Sequence, residues 1–130
     1  MKDSKLILLI EDNKSFRLLM NHFLSRRYRV VTKSNGIDAM SWLKEGNDPD
    51  LILLDLAMPQ MTGNDFLSGL KSSGFYKDIP VIVVSGTTRD TFNGDAMSDI
   101  EHYFEKPFDP RKLHEKIEHI FTDDFELSTS

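Results

Sequence analysis

Three stretches of this chain leave no side for water. Leu6–Ile10, Leu51–Leu54 and the run Val81-Ile82-Val83-Val84 are unbroken aliphatic segments bounded by polar residues. A half-exposed strand alternates apolar and polar side chains, whereas a continuous apolar run of this length reads as a strand covered on both faces. That is the situation of a parallel sheet with helices above and below it. Each run ends on polar groups: Glu11-Asp12 after the first, Asp55 after the second, Ser85 after the third. A carboxylate placed directly after buried residues costs desolvation free energy unless something nearby compensates it. Open α/β sheets bind their ligands at this carboxyl edge.

The segments between these runs carry helical periodicity. After Asn13, a plausible N-cap, apolar residues fall at Phe16, Leu19, Met20, Phe23 and Leu24, the stripe of a helix with one buried face. Residues 28–32, with Val30-Val31, form a short strand, and Ser34-Asn35-Gly36 caps a helix carrying Ile37, Ala39, Met40, Trp42 and Leu43. Thr62 and Asp65 fit a capping box, ahead of a helix that buries Phe66, Leu67 and Leu70. Phe92, Ala96, Met97 and Ile100 suit one face of a fourth helix, interrupted by Asn93-Gly94. His102–Glu105 is a fifth strand ending in Lys106-Pro107. Asp109 caps a fifth helix with Pro110 at its first position and Leu113, Ile117, Ile120 and Phe121 on its buried face. Five strands alternating with five helices predict a doubly wound α/β fold, a flavodoxin-like parallel sheet of order 2-1-3-4-5 with the three apolar runs at its centre. A single domain is expected over residues 1–122, with the polar segment 123–130 as a fraying tail.

Composition narrows the function classes. The net charge of −5, from 21 acidic against 16 basic residues, argues against a nucleic-acid-binding surface. Without cysteine, neither a disulfide framework nor a thiolate metal site is possible. His22, His102, His114 and His119 show no metal-ligand spacing. The apolar runs fall far short of the roughly 20 residues of a membrane span, so a soluble, cytoplasmic protein with no membrane partner is expected.

In a parallel sheet the polar strand ends project from one edge. Strands lie about 4.8 Å apart, so Glu11, Asp12, Asp55 and Ser85 enter one shallow pocket, with Lys106 arriving from the fifth strand. Carboxylates this close repel by on the order of several kcal/mol per pair. A hard divalent cation, Mg²⁺ above all, resolves the repulsion through carboxylates, a carbonyl and retained waters. An ionised Asp55 beside Mg²⁺, a fixed cation and a hydroxyl donor is equipped to attack phosphorus and form an aspartyl phosphate.

With these residues the sequence resembles the receiver (CheY-like) domain of two-component response regulators over nearly its whole length. The resemblance lies in Glu11-Asp12, Asp55-Leu56-Ala57-Met58-Pro59 with Gly63, Ser85, and Lys106-Pro107. It implies that Asp55 is the phosphoacceptor and that Asp12, Asp55 and the backbone carbonyl of Ala57 hold Mg²⁺, with Glu11 acting through water. Lys106 would pair with the phosphoryl group, and the Lys106-Pro107 bond would be cis. Ser85 would be the switch hydroxyl and Tyr103 the switch aromatic, with Thr87 and Gly86 as accessories of the phosphoryl pocket. The donor would be a sensor histidine kinase or a histidine phosphotransfer protein. A downstream partner would read the face made by the fourth helix, fifth strand and fifth helix, with the chain a monomer or a phosphorylation-linked dimer. Such a chain is a phosphoacceptor, catalysing at most its own phosphorylation and dephosphorylation. Ser85 stands where threonine is commoner, and Asp99-Ile100 where small residues often precede the switch aromatic.

Three rival functions make different demands on the residues. A phosphatase of the haloacid-dehalogenase type wants an acid two positions after its nucleophile, and that position is Ala57. A nucleotide-binding module wants a glycine-rich loop after the first strand, where Glu11-Asp12-Asn13-Lys14 would repel phosphate without a metal. A receiver-like interaction module working without phosphorylation is the remaining alternative.

Overall fold

The computed structural model describes residues 5–55, 63–86 and 100–129. Five strands form one sheet: β1 (Leu6–Ile10), β2 (Arg29–Lys33), β3 (Leu51–Leu54), β4 (Val81–Ser85) and β5 (His102–Glu105). All neighbouring pairs are parallel and the order is β2-β1-β3-β4-β5, as the sequence implies. Among the described residues there are four helices: α1 (Lys14–Ser25), α2 (Gly36–Lys44), α3 (Gly63–Lys71) and α4 (Pro110–Thr129). The helix expected before β5 rests largely on Phe92, Ala96 and Met97, which lie outside the described residues, as does Thr62 of the expected capping box.

The continuous runs are buried because alternate residues serve opposite layers. Leu8, Ile10, Ile52, Leu54, Val81 and Val83 face α2 and α3, joining Ala39, Leu43, Phe66, Leu67 and Leu70 in one core. Ile7, Leu9, Leu51, Leu53, Ile82 and Val84 face α1 and α4, joining Met20, Leu24, Leu113, Ile117 and Phe121 in the other. A strand's side chains alternate in direction, so a strand with helices on both sides needs an apolar residue at every position.

The helix starts follow their caps. The Asn13 side chain accepts from the Phe16 N–H at 2.8 Å, and Asn35 accepts from the Asp38 N–H at 2.8 Å. Asp109 accepts from the Arg111 N–H at 2.9 Å, and the Arg111 guanidinium reaches the same carboxylate. These bonds hold the Asp109 carboxyl below its ordinary range. The Tyr28 hydroxyl donates to Glu118, tying the start of β2 to α4. Burial first, then this bond, pushes the phenol well above its ordinary value.

One expectation needs correction. Leu19 does not join the buried stripe of α1: it is 63% exposed, while Met20 and Leu24 are buried and Phe16 and Phe23 half-buried. At 100° per residue Leu19 falls on the margin of the stripe, where the sheet no longer reaches. Helix α4 is assigned from Pro110 to Thr129. Glu126 and Leu127 are good helix formers, and no proline or glycine follows Pro110 to stop the helix. No helix among the described residues is long and apolar enough to cross a membrane.

The contrast between Leu53 and Leu19 is testable. Leu53→Ala, at a fully buried centre of the sheet, should lower unfolding free energy by about 2–5 kcal/mol. Leu19→Ala should change it by about 0.5 kcal/mol or less. Urea denaturation followed by circular dichroism measures both.

Candidate functional site

Each polar strand end is anchored by a backbone bond that extends the sheet one residue past its strand. The Asp55 N–H donates to the Ile10 carbonyl at 3.0 Å, and the Glu11 N–H to the Lys33 carbonyl at 3.0 Å. The Lys106 N–H donates to the Ser85 carbonyl at 2.8 Å. With Ile10 opposite Leu54 and Ser85 opposite Glu105, the residues that follow all leave the sheet at the same edge. Their backbone positions are therefore set by the ladder and not by loop conformation.

The side chains converge. Carboxylate oxygens of Glu11, Asp12 and Asp55 lie within 4.8 Å of one another. Glu11 is 2% exposed and Asp55 4%, whereas Asp12 opens to solvent. The Lys106 ammonium donates to Glu11 Oε1 at 2.9 Å, and Glu11 Oε2 accepts from the Asn13 N–H at 3.1 Å. The Lys106 Nζ also lies 4.2 Å from the centroid of the Phe16 ring. Ser85 is completely buried at the end of β4. Lys106-Pro107 is cis, as expected.

Other assignments fall out differently. Tyr103 is half-buried, pairs in register with Val83 and packs on the core beneath α2 and α3. Gly86 is exposed, and a side chain there would meet nothing nearby. Ala57 and Thr87 lie outside the described residues. The roomier hollows are elsewhere: one of about 420 Å³ between the end of α2 and Phe75-Tyr76 has no cluster of acids or bases at its base.

Sequence reasoning passed over Arg17. Its Nη1 donates to the Glu11 carbonyl at 2.9 Å and the Asp12 carbonyl at 3.3 Å, bracing the turn that presents both acids. The signal was available: a helix capped by Asn13 carries Arg17 one turn later on the side nearest that turn. Phe16 read only as a core residue because a cation–π contact has no signature in spacing.

The donor set suits a hard cation. It offers carboxylate oxygens alone, with no imidazole or thiolate among them, which fits Mg²⁺ or Ca²⁺ and not a softer metal. Two of the three acids are buried. A nearby opposite charge favours the ionised form of such groups, which is what a bound cation would supply.

Comparison with known proteins gives the family. The profile described as "Response regulator receiver domain" matches residues 7–118. Chemotaxis protein CheY1 of Helicobacter pylori is 29% identical over 120 residues, covering 86% of this chain and 93% of that protein. Histidine kinase P4 of Formosa agariphila is 28% identical over 120 residues, covering 92% of this chain and 9% of that protein. The chain thus spans only about a tenth of the length of the kinase relatives it matches, and nearly all of CheY1. The solved N-terminal domain of a response regulator receiver protein from Methanoculleus marisnigri is 32% identical, with a TM-score of 0.70 over 88% of this chain and 94% of that one. The matched span takes in all but the first residue of the five strands and every acid of the cluster, and on that ground the chain belongs to the response regulator receiver domain family.

Proposed function

We propose that this receiver domain takes a phosphoryl group onto Asp55 in a Mg²⁺-dependent reaction and signals the change through a face built on β5 and α4. The observation that carries the reading is the gathering of Glu11, Asp12 and Asp55 oxygens within 4.8 Å, with the Lys106 ammonium bonded to Glu11 beside them. Asp12 and Asp55 would hold the cation with the Ala57 carbonyl, and Glu11 would act through water. When bound, Mg²⁺ neutralises charge on the phosphoryl oxygens during transfer.

The chain's own groups do the rest. An Asp55 carboxylate oxygen bonds to phosphorus as the bond from phosphorus to the donor's histidine nitrogen breaks, and the nitrogen keeps the electron pair. Burial of Asp55 excludes competing water and strengthens each charge interaction around it. Lys106 exchanges its bond to Glu11 for one to a phosphoryl oxygen, and the Ser85 hydroxyl donates to another. The new group brings roughly −1.5 to −2 charge and three acceptors, so the state in which Lys106 and Ser85 reach it is favoured over the resting one. Tyr103, on the same side of the sheet as α2 and α3, follows Ser85 inward.

Receiver domains are phosphoacceptors, and here the chemistry would extend to catalysing the chain's own phosphorylation and dephosphorylation. The donor is proposed to be a sensor histidine kinase or a histidine phosphotransfer protein, and the setting cytoplasmic. The chain is proposed to act as a monomer or a phosphorylation-linked dimer. The domain is taken to span residues 1–122, with 123–130 as an appendage.

Two measurements test this. With Mg²⁺ and a small-molecule phosphodonor, intact-mass spectrometry should show one added phosphoryl group in the wild type and none in Asp55→Asn, whose circular dichroism should be unchanged. A mutant that still gains the group sinks the assignment, and a wild type that gains none favours an interaction module working without phosphorylation. In a calorimetric titration Mg²⁺ should bind at one site, and Asp12→Asn should weaken it at least about tenfold, since even outer-shell partners of a metal are worth that much.

A further inference from the structure

The Lys106 ammonium sits between a carboxylate and an aromatic face. On one side is Glu11 Oε1 at 2.9 Å, on the other the Phe16 ring with its centroid at 4.2 Å. Lysine's flexible four-carbon stem lets its head swing into solvent unless something confines it, and this one is only 23% exposed. Phe16 belongs to the first turn of α1, whose start is pinned by the Asn13 cap. Its ring meets Phe108 edge-on, with centroids 6.0 Å apart and planes at 79°. Phe108 in turn packs on Phe104 of β5 at 5.7 Å. The ring is thus fixed from two elements, and its negative face is turned to the cation.

We infer that Phe16 is a positioning residue for phosphoryl transfer, a wall that holds the Lys106 ammonium over the acidic pocket while it changes partner. The inference rests on the phosphoacceptor reading above and adds a residue to it. A ring attracts the ammonium without taking any of its three N–H donors into a strong hydrogen bond. It can therefore stay in contact while Lys106 leaves Glu11 for a phosphoryl oxygen. An acidic residue in the same place would compete with the phosphoryl group, and an aliphatic one would let the head drift.

The test compares the wild-type chain with Phe16→Leu and Phe16→Tyr. In protein free of metal and phosphodonor, the ring current should displace the Lys106 ε-proton resonances upfield, with nuclear Overhauser contacts to the ring. Both signatures should persist in Phe16→Tyr, and the upfield displacement should vanish in Phe16→Leu. At saturating phosphodonor and Mg²⁺, Phe16→Leu should take up the phosphoryl group about three- to tenfold more slowly, and Phe16→Tyr within about twofold of wild type, the scale of one cation–π contact. Equal rates for Phe16→Leu and wild type would overturn the inference. So would a Phe16→Tyr variant as slow as Phe16→Leu, which would assign the ring a packing role, or a wild type without the Overhauser contacts. If Phe16→Leu does not fold, Phe16→Met takes its place and the wild-type contacts decide on their own. A wild type that never takes up a phosphoryl group sinks the phosphoacceptor reading instead, and the donor-free spectra still show whether the ring holds the ammonium.

Discussion

Buried negative charge at the end of a parallel sheet is the constraint on which this structure turns. Parallel strands all point one way, so the residues that follow them must share an edge. Here the ladder carries that sharing one residue beyond the strands, through Asp55 to Ile10, Glu11 to Lys33 and Lys106 to Ser85. Glu11 and Asp55 are not free to retreat from one another, because their backbone N–H groups are bonded into the sheet. Moving them apart would mean breaking bonds that also hold the core in register.

Such a cluster cannot be explained as a contribution to stability. A buried ion pair roughly balances its desolvation cost at best, and here a second buried carboxylate, Asp55, lies beside the pair of Lys106 and Glu11. Lys106 bonds to Glu11, the Asn13 N–H donates to the same carboxylate, and Arg17 braces the carbonyls of Glu11 and Asp12. These contacts hold the acids in position more than they neutralise them. The remaining negative charge is what a cation would relieve, and a phosphoryl group would then need that cation and Lys106 to offset the charge it adds. A ligand shifts a conformational equilibrium only through differential contacts, and these groups would supply them.

Much of this was legible in the residues. Runs such as Leu51–Leu54 can only be strands with two covered faces, and the polar residue closing each run marks the functional edge. The order of the strands follows from the same runs, because the most apolar belong in the middle. What escaped is of two kinds. Leu19 was misplaced because a helical stripe gives an angle but not the width of the surface it meets. The contacts of Arg17 and Phe16 escaped because they depend on side chains crossing from α1 to residues before it and to β5, and periodicity describes one element at a time.

β5 links the site to a surface in two directions. Tyr103 and Phe104 are neighbours on one strand, so they point to opposite faces of the sheet. Tyr103 packs on the core shared with α2 and α3, and Phe104 on the core shared with α1 and α4. Through Phe108, Phe104 belongs to the aromatic contacts that end at Phe16 and the Lys106 ammonium. Lys106 itself follows the strand directly and is bonded to Ser85 through the backbone. A displacement of Lys106 toward a phosphoryl group would thus act on β5 from its carboxyl end and through the ring beside Phe104. Movement of Ser85 would act on the opposite face, where Tyr103 lies. Under the proposed function, an edge strand contacted on both faces in this way would have a route by which the site could move it. That would give a physical reason for the response to emerge at β5 rather than at β2, the opposite edge, where among the described residues the Lys33 carbonyl accepts from the Glu11 N–H.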